Sequence, residues 1–151
     1  MLTYIKLIFK NFINQKSFST KVNNSITPIK SYSNADTMKQ QILDENREKS
    51  GIYRWVNNIN GKTYIGRSIN IKRRLFNYYS LKFANKFKMI INKALFKYGH
   101  SNFSFEILEY CEAKNIISRE QYYLNLLQPE YNILENAGNS LGFKHSADTI
   151  I

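Results

Sequence analysis

Gly51-Ile-Tyr-Arg-Trp-Val-Asn-Asn-Ile-Asn-Gly-Lys-Thr-Tyr-Ile-Gly-Arg67 is the stretch on which the reading of this chain turns. Two short runs rich in aromatic and β-branched residues flank Asn58-Ile59-Asn60-Gly61. Asn and Gly tolerate the backbone of tight turns, so the stretch reads as a β-hairpin. Strands over Gly51–Asn57 and Lys62–Arg67, joined by those four residues, set Asn57 against Lys62 and Trp55 against Tyr64. That register puts Tyr53, Trp55, Tyr64 and Gly66 on one face. A slip of one residue would send Tyr64 to the other face, so the turn decides which side chains meet.

Downstream, a helix starting near Asn70 or Ile71 carries Ile71, Leu75, Tyr79 and Phe83 at helical spacing, with Arg74 and Tyr78 beside that stripe. A second helix shows Phe87, Ile90, Ile91, Ala94, Leu95 and Tyr98 on one face and Lys88, Asn92, Lys93 and Lys97 on the other, and Gly99 stops it. Phe103, Phe105 and Ile107 alternate at the start of a third strand running to Tyr110. A helix from Ala113 to Leu127 follows, closed by Pro129. Glu120 interrupts its apolar stripe of Ile116, Ile117, Tyr123, Leu124 and Leu127. A carboxylate there needs a cation, a donor network or a metal ion, since burying it alone is costly. An ion pair with Arg74 is one such solution. Asn132, taken alone, reads as a turn residue.

Upstream, residues 36–49 form a helical lead-in, with Met38, Ile42 and Leu43 as a narrow apolar edge. Residues 1–35 hold no acid, several lysines and much Ser and Asn. They read as a leader, either disordered or a targeting segment. Residues 50–135 make the central domain. Residues 136–151 read as a linker followed by the start of a truncated further region, with Ser146 as a helix N-cap.

The formal net charge is +11, and no Asp or Glu occurs between Glu48 and Glu106 while Lys and Arg recur through that whole interval. One-sided charge on this scale favours a polyanionic partner. The lone Cys111 excludes an internal disulfide and reads as a small buried hydrophobe in a reducing compartment. His100 and His145 have no ligand spacing for zinc. No run reaches the ~20 apolar residues of a membrane span, and no obligate protein partner is evident. Heavy use of Asn, Ile, Lys, Phe and Tyr points to an AT-rich, organellar genome.

The order strand, strand, helix, helix, strand, helix, together with Gly51-Ile52-Tyr53, Asn60-Gly61-Lys62, Tyr64-Ile65-Gly66-Arg67-Ser68 and Arg73-Arg74-Leu75, resembles the GIY-YIG nuclease domain. With Tyr98-Gly99, Phe103 to Leu108, Arg119-Glu120 and Tyr131-Asn132-Ile133, the chain is similar to the group-I-intron homing endonucleases of fungal mitochondria. Ser140 to Ser146 resembles the opening of the modular DNA-binding repeats that follow such domains. The resemblance implies an α+β fold with a small three-stranded antiparallel sheet flanked by helices. It also implies a metal-dependent endonuclease acting on double-stranded DNA in the mitochondrion, and one divalent cation, usually magnesium, held by Glu120. In that family pattern Arg74 stabilises the transition state, Tyr53 deprotonates or positions the attacking water, Tyr64 orients the phosphate, Tyr78 assists and Asn132 orders the site. Arg67, Lys62, Lys72, Arg73 and Lys82 are the expected nucleic-acid contacts. The alternative is a non-catalytic nucleic-acid-binding remnant of such a nuclease. A repair nuclease is disfavoured by the flanking matches.

Overall fold

A computed structural model describes residues 26–80 and 89–138. The order is β1 (Lys30–Tyr32), α1 (Lys39–Glu45), β2 (Gly51–Asn57), β3 (Thr63–Ser68), α2 (Ile71–Tyr79), α3 (Ile90–Tyr98), β4 (Phe103–Tyr110), α4 (Ile116–Leu127) and α5 (Glu130–Gly138). The architecture is α+β, an antiparallel sheet with helices against both faces. Among the described residues no helix is long and apolar enough to cross a membrane.

The hairpin has the register read from its turn. Trp55 pairs with Tyr64 and Tyr53 with Gly66. Asn57 closes the loop by accepting a hydrogen bond from the Ile59 amide through its side chain, 2.9 Å, while its own amide donates to Lys62 O, 2.9 Å.

The sheet has four strands in the order β1-β4-β2-β3, which corrects the three-stranded expectation. The extra strand comes from the segment read as a leader, and pairs Lys30 with Ile107 and Tyr32 with Phe105. An uncovered β4 would leave a row of backbone donors and acceptors open, and β1 satisfies them. Tyr32 is buried there, stacked on Phe105 with ring centroids 6.3 Å apart.

Strand alternation divides the core in two. Tyr53, Trp55, Tyr64, Phe103, Phe105 and Ile107 face α1, α2, α3 and the start of α5, while Ile52, Ile65 and Leu108 face Ile116 and Tyr123 of α4. Three helices differ from their expected faces. In α2 the buried set is Ile71, Leu75 and Tyr78, so the stripe turns toward Tyr78 and leaves Tyr79 half-buried; Phe83 lies outside the described residues. In α3 Asn92, expected on the lysine face, is buried with Ile91, Ala94 and Leu95. In α4 Ile117 is exposed. Asn132, read alone as a turn residue, lies inside α5.

Candidate active site

Three phenols and one guanidinium converge where α2 packs across the hairpin. Tyr53 of β2 and Tyr78 of α2 share a hydrogen bond, hydroxyl to hydroxyl, at 2.7 Å, and their rings meet edge to face with centroids 5.9 Å apart. Tyr64 of β3 is buried in the same cluster and acts electrostatically on Tyr78. Arg74 stands one turn before Tyr78 on α2, its guanidinium 5.5 Å from the centre of the Tyr78 ring and beside the Tyr53 hydroxyl. The Asn70 side chain caps α2 by accepting from the Arg73 amide at 3.0 Å, which fixes the helix start from which Arg74 is presented.

The glycines of the two tripeptides have a packing reason. Tyr53 sits opposite Gly66 across the hairpin, and its ring covers that position so closely that a Cβ on Gly66 would lie 2.5 Å from the ring. On Gly51 a Cβ would collide with the Glu109 backbone of β4, beside the bulge between Ile52 and Tyr53.

Electrostatics set the protonation of the cluster. Burial pushes the Tyr53 and Tyr78 phenols well above the ordinary tyrosine range, so both keep their protons at neutral pH. Burial alone would weaken the Arg74 charge, but the Tyr78 and Tyr53 oxygens outweigh it and hold the guanidinium cationic. Its Nε is buried and has no hydrogen-bond partner.

Glu120 lies elsewhere. Arg67 follows Gly66 in β3 and so projects to the other face of the sheet, where α4 packs. There its Nη1 donates to Glu120 Oε1 at 2.5 Å, with the glutamate side chain only 16% exposed and the arginine 45%. The cation that answers this carboxylate is therefore Arg67, and no such bond joins Glu120 to Arg74.

Asn132 works on the free edge of β3. Its Oδ1 accepts from the Ile65 amide at 2.8 Å and its Nδ2 donates to Ile65 O at 2.9 Å, as a neighbouring strand would. Glu130, which sequence reasoning passed over, adds a third bond by accepting from the Thr63 amide at 2.8 Å. The spacing of two in both partners was the available signal. The site residues thus surround one strand, with phenols and Arg74 on one face, the Arg67–Glu120 pair on the other and Asn132 on the edge.

Among the expected contacts, Lys62 and Arg73 are exposed and Lys72 reaches over the Phe76 ring; Lys82 lies outside the described residues. Arg73 and Arg74 line an open depression of 450 Å³ with Ser68, Ile69, Asn70 and Asn77. Among the described residues no group of three His, Cys, Asp or Glu could hold a metal ion. A single carboxylate nonetheless suits magnesium, which keeps most of its waters and is completed by substrate phosphates.

A model of the GIY-YIG catalytic domain matches residues 49–132. The chain is 33% identical over 135 residues to a probable intron-encoded endonuclease, bI1, of Neurospora crassa, covering 80% of this chain and 29% of that protein. It is 32% identical over 132 residues to probable intron-encoded endonuclease 1 of the same organism, covering 82% of this chain and 42% of that one. The chain therefore spans less than half the length of these relatives. Among solved structures, the catalytic domain of the homing endonuclease I-TevI aligns with a TM-score of 0.46 at 29% identity, covering 56% of this chain and 94% of that one.

Proposed function

The chain belongs to the GIY-YIG family, and on that premise we propose that it is an endonuclease of the intron-homing type that hydrolyses phosphodiester bonds in double-stranded DNA with a divalent cation. The observation that carries this reading is Arg74 Nε, a charged donor buried among phenols with no acceptor. Leaving such a group unpaired is expensive, and a phosphate oxygen would complete it. Arg74 then stabilises the charge that grows on the pentacovalent phosphorus.

Tyr53, still protonated, orients water or phosphate by hydrogen bonding, and Tyr78 fixes its hydroxyl. Tyr64 flanks the phosphate, while Asn132 holds β3 in place. Glu120 would hold the cation, which when bound stabilises charge on the phosphate and the leaving oxygen. Arg67 shares that carboxylate and is free to reach a DNA phosphate once it lets go. Lys62, Lys72, Arg73 and Lys82 neutralise backbone charge. We place the activity in the mitochondrion, a reading supported by the intron-encoded relatives and by the AT-rich residue usage.

Nicking of supercoiled plasmid in magnesium, with a chelator control, tests the reading. Arg74→Ala and Glu120→Ala should each slow nicking by about a hundredfold or more, with an unchanged circular-dichroism spectrum. Undiminished nicking in either variant overturns the site. Salt-sensitive DNA binding without magnesium-dependent nicking by the unaltered chain identifies a non-catalytic remnant instead.

A further inference from the structure

We propose that the pocket between α2 and α3 is a phosphate subsite in which Asn92, together with Asn77, binds oxygens of the same DNA phosphate that Arg74 engages. The pocket has a volume of 90 Å³ and is lined by Arg74, Asn77, Tyr78, Met89 and Asn92. That space holds several water molecules, and a phosphate's oxygens fit within it.

Asn92 is the anomaly that points to a ligand. Its residue is 7% exposed, and among the described residues no hydrogen bond reaches its amide. The other buried asparagines are satisfied: Asn46 donates to Ile42 O at 2.8 Å and accepts from the Tyr110 hydroxyl at 2.7 Å, and Asn57 donates to the Tyr131 hydroxyl at 3.1 Å. Buried polar groups without partners are rare in folded proteins. Asn92, whose amide stays open to this small pocket, lines it together with Arg74, whose Nε is a buried donor without a partner.

The donors decide the class of ligand. An Asn Nδ2 and a guanidinium Nε both need acceptors, and the chain around them has no acid between Glu48 and Glu106 to supply one. An anion with several oxygens satisfies both at once. Arg74 and Asn77 also line the open 450 Å³ depression, so the pocket continues toward the surface from which a DNA backbone would approach. Met89 and the Tyr78 ring keep the inner wall apolar, which strengthens a charge-assisted hydrogen bond there.

The inference rests on the phosphodiester reading, and its test is separable from it. Inorganic phosphate is titrated into the full chain labelled with nitrogen-15, against chloride at matched ionic strength, while the Asn92 and Asn77 side-chain amides and Arg74 Nε–H are followed by NMR. Saturable shifts of Asn92 and Arg74 specific to phosphate are expected. Asn92→Leu, which keeps the branching at Cγ without the polar atoms, should weaken phosphate binding about tenfold, as loss of one hydrogen bond to a charged group does. An Asn92 amide silent to phosphate, or responding equally to chloride, overturns the subsite whether or not the chain cuts DNA. Should Asn92→Leu fail to fold, the titration of the unaltered chain still decides. Saturable Asn92 shifts in a chain that never nicks DNA uphold the subsite and overturn the nuclease reading.

Discussion

A phenol at the pKa of free tyrosine is a poor base at neutral pH, and burial makes Tyr53 a poorer one. Tyr53 is suited to orienting water and not to removing its proton. The Arg67–Glu120 pair makes a second residue-scale point. Arg67 covers an oxygen that a cation would use, so Arg67→Met should tighten binding of manganese to the DNA-free chain. The gain should be about fivefold, because an ion pair with its arginine half open to solvent is worth about 1 kcal/mol. Calorimetric titration measures it, with Glu120→Gln as the control that removes the ligand; unchanged or weaker manganese binding in Arg67→Met contradicts the competition. The Arg67 partnership was not legible in the sequence, because adjacent residues of a strand face opposite sides and only the packing of α4 shows what lies across from Arg67.

At the scale of elements, the edge strand β3 is held by α5 through side chains that imitate a strand. Asn132→Ala removes both bonds to Ile65, exposing an amide and a carbonyl that the helix had satisfied. The expected loss is about 2 kcal/mol, two hydrogen bonds at about 1 kcal/mol each. Denaturant titration reads the total, and amide exchange at Ile65 should accelerate more than at Trp55 in the central β2. Equal acceleration at both would place the effect in global unfolding. Strand positions were legible in the hairpin because period-two alternation and an Asn/Gly turn leave one register. The α2 and α3 faces were not, since Tyr78 or Tyr79, and Asn92 or Tyr98, satisfy helical spacing almost equally and the neighbouring sheet chooses between them.

At the scale of the molecule, the tyrosine-rich core carries a pH liability. Burial is the first cause that raises the pKa of Tyr32, Tyr53, Tyr78 and Tyr79 above the ordinary value of 10.0. Below that value the phenols are neutral in both folded and unfolded chains and cost nothing. Above it the unfolded chain releases protons that the fold retains, so stability falls as pH rises. The urea midpoint should therefore drop between about pH 9 and about pH 11, and Tyr79→Phe should reduce the drop; a flat midpoint would mean that these phenols ionise within the fold.

Sequence alone determined the hairpin, its register and the resemblance carried by Tyr53, Tyr64, Arg74, Glu120 and Asn132, because turn chemistry, alternation and motif spacing are local. Only the tertiary structure decided that residues 30–32 complete the sheet, that Arg67 and not Arg74 answers Glu120, that Asn132 braces a strand edge and that Asn92 faces Arg74's pocket. Those four facts depend on which surfaces meet across the sheet, and a linear pattern specifies that a face is apolar without specifying what it is pressed against.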